Sequence, residues 1–191
     1  WISRAPDARF IVTSTEPVDL PDAQILPLDP LPEDTARAML TAKSGGRIHT
    51  PDWQAQTQGI PLCLVLLAPI LADGQDPAWP TPIDSLPPVA GALRSAVSAA
   101  VNALSNPQRK TLNVLCAWTG GMDENAAQGL EITAEIKALQ QRGMLVRTAP
   151  RRWRVCTAVS QWVLASLRDE DIQRCERIHS DWSVQLAHTA A

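Results

Sequence analysis

Two short apolar runs near the start of the chain differ in pattern from everything that follows them. Residues 8–13 and 24–28 are rich in apolar side chains without the polar alternation of a half-exposed strand. Such runs are typical of strands that are buried on both faces of a sheet. Two short strands do not form a stable sheet by themselves, so we expect them to need a further sheet or a rearranged packing.

From residue 31 onward the apolar spacing and the end signals predict helices. Pro32 followed by Glu33 and Asp34 is typical of a helix start, and Gly45-Gly46 of a helix end. Residues 73–88 are rich in proline and predict a linker. The predicted helices span residues 31–43, 51–58, 60–72, 89–104, 108–118, 123–129, 133–142, 157–167 and 171–190.

Two short β runs follow the predicted helix that Thr133 caps. Residues 144–148 and 153–156 flank a polar tip, Pro150-Arg151-Arg152, which predicts a β-hairpin. Three helices followed by a hairpin predict a winged helix. The expected fold class is therefore mainly α with a few short strands, ending in a winged-helix domain with a β-hairpin wing.

The composition of the chain argues against some classes of function. The chain has 191 residues, a formal net charge of −3 and a pI of about 5.6, which argue against a general nucleic-acid-binding surface. Its longest apolar run, residues 60–72, contains two prolines and is too short to span a bilayer, so no membrane partner is expected. The four cysteines form no C-x-x-C pair and lie among apolar neighbours. They are typical of reduced thiols in a cytoplasmic protein.

Four signals occur in a fixed order along the chain. A strand ends in residues 13–17 (TSTEP), and residues 28–34 (LDPLPED) lead into an acidic helix start. Residues 59–62 (GIPL) then open an apolar helix, and a winged helix with a helical tail follows. This order resembles the bacterial STAND regulators, relatives of the NB-ARC ATPases. The loop that grips the phosphates in that family is not in this chain.

The resemblance implies a nucleotide site. It places Thr13 and Thr15 beside the γ-phosphate and Gly59, Ile60 and Pro61 at the adenine. The family carries an arginine where this chain has Thr15, and a threonine can offer only a neutral hydrogen bond.

Cys156 aligns with a histidine that contacts the β-phosphate of ADP in the family, and a thiol is only a weak donor. The implied cofactor is ATP or ADP with Mg²⁺ in the parent protein, with none in this chain alone. The implied partners are the N-terminal half of the nucleotide-binding domain and further copies of the protein on activation.

The resemblance also implies a division of the chain. Residues 1–30 would end a nucleotide-binding α/β domain, 31–75 form a small helical lid, and 76–88 a linker. Residues 89–156 would form the winged helix, and 157–191 lead to further helices. The parent would be a transcriptional regulator or a slow signalling ATPase, in which lid and winged helix clamp the nucleotide-binding domain in the resting state. It would contact DNA through another domain.

Two alternatives remain open. The first is a winged-helix DNA-binding regulator, because the predicted wing carries a basic tip around Trp153. Its candidate phosphate contacts are Arg147, Arg151, Arg152 and Arg154. The second is a degenerate scaffold that binds no nucleotide. No G-x-S-x-G or H-E-x-x-H motif occurs, so this chain alone is not expected to be an enzyme.

Overall fold

A computed structural model describes residues 9, 11–14, 18–19, 23–81 and 85–189, apart from the side chains of residues 186 and 189. Over these residues the fold is mainly helical with one small antiparallel sheet. The helices are α1 (Glu33–Ser44), α2 (Trp53–Thr57), α3 (Pro61–Ala72), α4 (Pro88–Asn102), α5 (Asn106–Ala117), α6 (Glu124–Gly129), α7 (Thr133–Gln141), α8 (Thr157–Ser166) and α9 (Asp169–Thr189). The strands are β1 (Met122–Asp123), β2 (Leu145–Ala149) and β3 (Arg152–Val155).

The first three helices pack together, and we call them the first bundle. Helix α1 begins with two carboxylates at its positive end and stops at Gly45, whose φ of 64° is left-handed. Pro61 stands in the first turn of α3, where its missing N–H removes no helical bond. The apolar faces enclose a small core of Ala36, Leu40, Trp53, Leu64, Leu67, Ala68 and Leu71.

The elements from α5 to β3 form a second unit with its own sheet. Ser105 caps α5 through a capping box with Gln108, so the predicted helix start is confirmed. Strands β2 and β3 form the predicted hairpin, and β1 pairs with β3 on its other side to give the order β1-β3-β2. Helix, strand, two helices and a hairpin follow one another as in a winged helix, with β2 and β3 as the wing.

Helix α3 belongs to both cores. Its residues Leu64, Leu67 and Leu71 face the first bundle, whereas Leu66 and Ile70 enter the large core around the sheet. A helix that is apolar on all sides is expected where both faces are covered. The ends of the two units also meet, since Arg142 after α7 lies 2.6 Å from the Asp73 carboxylate after α3.

The last two helices pack back on the second unit. The Trp118 ring after α5 packs against His179 of α9, with ring centroids 4.6 Å apart and the ring planes tilted by 51°. Gly129 at the end of α6 faces the Trp182 ring so closely that a side-chain carbon there would lie 2.3 Å from it.

The described helices include no stretch that is both long and apolar enough to cross a membrane.

Two sequence predictions were wrong. Residues 24–28, and the described residues of 8–13, form no strand in this structure, and Ile11 and Leu28 are 94% and 86% exposed. A strand exists only through its pairing, and the described sheet is made from β1, β2 and β3 instead. Helix α7 also begins differently: Ile132 is its N-cap residue, and Thr133 is the first helical residue rather than the cap.

Candidate functional site

A surface cleft of about 490 Å³ lies between the starts of α1 and α2, and we call it the Gly59 cleft. Residues from three segments meet there because the turn after α2 folds back against the chain before α1. The lining residues are Leu31, Glu33, Ala36, Pro51, Asp52, Gln54, Ala55, Gln58 and Gly59.

Gly59 holds this cleft together at its base. The Leu31 N–H donates to the Gly59 carbonyl over 2.9 Å, which ties the two segments. The φ of Gly59 is +70°, and a side-chain carbon added there would lie 2.4 Å from the Leu31 carbonyl oxygen. Only glycine adopts this backbone conformation with so close a neighbour. The glycine is therefore required by the turn itself.

An ion pair lies at the rim of the cleft. Arg37 donates to the Glu33 carboxylate over 3.0 Å, and its guanidinium lies 5.4 Å from the centre of the Trp53 ring. Hydrogen bonds from Arg37 and then from Gln54 hold the pKa of the Glu33 carboxyl below its usual value. Glu33 is thus an ionised acceptor beside the cleft at neutral pH.

The structure places Thr13, Ile60 and Pro61 outside the cleft lining. Ile60 is the N-cap of α3 and packs against Cys63 and the start of α4, whereas Pro61 is exposed. Thr13 is exposed in a segment without regular structure, and Thr15 lies outside the described residues. Among the predicted contacts that the structure describes, only Gly59 lines the cleft.

Cys156 lies in a different part of the molecule. It precedes α8, where its backbone N–H donates to the Met144 carbonyl over 2.9 Å. Its half-buried side chain packs against the large core. The structure does not bring Cys156 into the Gly59 cleft.

The wing arginines fall into two pairs. Arg151 and Arg152 reach carboxylates at the start of α6: Arg151 lies 3.2 Å from Glu124 and Arg152 lies 3.8 Å from Asp123. Arg147 and Arg154 are exposed on the strands. The basic tip expected from the sequence is therefore partly neutralised by two acidic neighbours.

The cleft suits some parts of a nucleotide and not others. Its two glutamine amides can each donate and accept, and Leu31, Ala36 and Pro51 offer apolar contacts. Its described lining includes the Glu33 and Asp52 carboxylates and no cation. Arg37 at the rim pairs with Glu33, so it is the Asp52 charge that would repel a phosphate there. Among the described residues no group of His, Cys, Asp or Glu side chains could hold a metal ion. The residues fit a neutral base but not magnesium or a phosphate chain.

Of the described residues that line the cleft, only Gly59 could be identified from the sequence as a candidate site residue. Asp52, Gln54 and Gln58 belong to a five-residue helix and its ends, and only the fold places them opposite Glu33. No protein-family model, curated protein or solved structure matches this chain.

Proposed function

We propose that this chain is the regulatory part of a STAND-type ATP/ADP switch protein. The first bundle would act as the lid, and lid and winged helix would clamp the nucleotide-binding domain in the resting state. The observation that carries the proposal is the Gly59 cleft, which lies at the Gly-x-Pro turn that the family resemblance assigns to adenine.

The chemistry of the cleft supports a purine base as its occupant. An exocyclic amine donates hydrogen bonds, and the Glu33 and Asp52 carboxylates together with two amide oxygens can accept them. A ring can lie between the apolar residues of the α1 and α2 segments. The phosphates and Mg²⁺ would be held mainly by residues outside this cleft, in the nucleotide-binding partner domain.

The shared helix α3 supports the switching part of the proposal. The cleft lies on the first bundle, and α3 joins that bundle to the core of the winged helix. A nucleotide that contacts two arrangements of these units differently would shift the balance between them. Release of the clamp would then permit self-association. We place the protein in the cytoplasm, as its free cysteines suggest.

A titration of fluorescently labelled ADP against the intact parent protein tests the proposal. Ala55 is exposed on α2 and lines the cleft, so Ala55→Trp should fill it and weaken ADP binding about tenfold or more. Ala165→Trp, at an exposed position of α8, is the matched control and should leave the affinity unchanged. Pro61→Ala should have a smaller effect, because Pro61 lies outside the cleft lining.

Two outcomes would overturn the proposal. If the parent protein binds no ADP, the scaffold alternative replaces it. If charge reversal of the exposed Arg147 and Arg154 abolishes DNA binding by the parent and Ala55→Trp changes nothing, the winged helix is a DNA reader instead.

A further inference from the structure

The proline-rich segment after α3 is attached to both units of the structure. Residues 75–81, which we call the strap, have no regular secondary structure. Trp79 of the strap packs against the small core of the first bundle and also against the large core around the sheet. Pro77 beside it is buried. Trp79 is thus a contact between the two units that is separate from the shared helix α3.

Side chains attach the strap to the fold at both of its ends. The His49 Nε2, in the loop after α1, lies 3.2 Å from the Gln75 carbonyl oxygen and 3.3 Å from the Asp76 carboxylate. Arg94 of α4 donates to the Thr81 carbonyl over 3.3 Å. These polar contacts are exposed to solvent, so each contributes little to stability. The packing of Trp79 is therefore the main attachment of the strap.

Backbone hydrogen bonds add nothing to this attachment. In the described part of the chain, no hydrogen bond joins the backbone of residues 76–81 to the backbone of either unit. The Trp79 N–H donates over 3.0 Å to the Pro77 carbonyl, which belongs to the strap itself. Pro77 and Pro80 have no N–H to donate. A segment that is held by few backbone hydrogen bonds opens at a small cost in free energy.

The packed indole of Trp79 also carries an energetic penalty. Its Nε1–H is buried, and no acceptor bonds to it among the described residues. A buried donor without a partner loses the hydrogen bond that water would otherwise supply. Opening the strap restores that hydrogen bond, which offsets part of the apolar burial that is lost. The closed strap is therefore less stable than its apolar contacts alone would make it.

We propose that the strap is a conformational latch between the first bundle and the second unit. In the closed state, Trp79 covers apolar side chains of both cores. In the open state, Trp79 lies in water, these side chains are exposed, and the two units keep fewer contacts with each other. The inference goes beyond the proposed function, because the latch opens and closes whatever ligand the Gly59 cleft takes.

Fluorine NMR of the 191-residue chain containing 5-fluorotryptophan tests the latch. The Trp79 signal is assigned by its absence in Trp79→Phe, and replacing water with D2O shows which indoles contact solvent. As urea is added, Trp79 should become exposed well before the chain unfolds, while buried Trp53 and Trp118 keep their native signals. Trp162 and Trp182 are half-buried like Trp79 but pack on the large core alone, so their signals should also stay native.

A pair of arginine variants tests the attachment of the strap to α4. Arg94→Gln weakens the contact with the Thr81 carbonyl and should raise the open population about two- to fivefold, as expected for the loss of one exposed hydrogen bond. Arg177→Gln removes the same charge from an exposed position of α9 and should leave the open population unchanged.

The position of the Trp79 transition decides the proposal. An early change of the Trp79 signal alone, at a urea concentration where the other indoles remain native, supports the latch. If all the buried and half-buried indoles change together when the chain unfolds, the strap is a fixed part of the core and the latch is overturned. Equal opening in Arg94→Gln and Arg177→Gln would overturn the attachment through Arg94.

Discussion

At the scale of single residues, Gly59 both adopts a left-handed backbone conformation and lines the candidate site. Its left-handed φ and its contact with the Leu31 carbonyl oxygen join the segments before α1 and after α2. The sequence identified the residue through Gly-x-Pro, but it could not reveal that glycine is needed for this close approach.

Gly59→Ala is therefore expected to destabilise the protein by about 2–4 kcal/mol, because a left-handed conformation and a steric overlap both oppose the methyl group. Urea unfolding measures this loss. Gly74→Ala is the matched control, since Gly74 has a φ of +72° with open space around a side-chain carbon, and it should cost about 1 kcal/mol. Equal losses in the two variants would show that the contact with Leu31 contributes nothing.

The thiols provide a second prediction at this scale. Burial raises the pKa of Cys63 and of Cys116 to about 12, and burial followed by the charge of Asp171 raises that of Cys175. These three groups stay protonated at pH 8 and should resist alkylation, because the thiolate is the reactive form. Half-buried Cys156 should react first with iodoacetamide.

Mass spectrometry of peptides taken during the reaction measures the order of modification. All four cysteines should react at similar rates in concentrated urea, which serves as the control. Modification of Cys63 in native protein as fast as that of Cys156 would contradict the burial of Cys63 between α3 and α4.

At the scale of secondary-structure elements, the sequence predicts the helices but not the pairing of the strands. The acidic start of α1, Pro61 in α3 and Ser105-Asn106-Pro107 at the start of α5 are local signals, and the structure has a helix at each. Strand β1 has only two residues and exists because Met122 and Asp123 pair with Trp153 and Arg152, far along the chain. The same reason explains why residues 24–28 form no strand despite their composition, since pairing depends on a partner and not on the run itself.

The ion pair between Asp73 and Arg142 joins the two units at the ends of α3 and α7. Its side chains are 45% and 18% exposed, so solvent screens the pair and we expect a coupling of about 0.5–1 kcal/mol. A double-mutant cycle with Asp73→Asn and Arg142→Gln, followed by urea unfolding, measures it. The more exposed Arg168–Asp171 pair within one chain segment is the comparison and should couple more weakly. Coupling near zero would mean that apolar packing alone joins the units.

At the scale of the whole molecule, the central question is whether the first bundle and the winged helix form a nucleotide-controlled pair. The shared helix α3 means that a ligand in the Gly59 cleft lies one helix away from the core around the sheet. The order of units follows from the helix signals and the hairpin in the sequence. The Gly59 cleft does not, because Glu33 and Gln58 come together only through the packing of α1 and α2.

Hydrogen exchange of the intact parent protein, with and without saturating ADP, tests the proposed base site most directly. If the base lies in the Gly59 cleft, amides of residues 51–60 should exchange more slowly with ADP than without it. Full ADP occupancy with unchanged exchange at residues 51–60 would show that the nucleotide binds elsewhere and that this cleft is not its site.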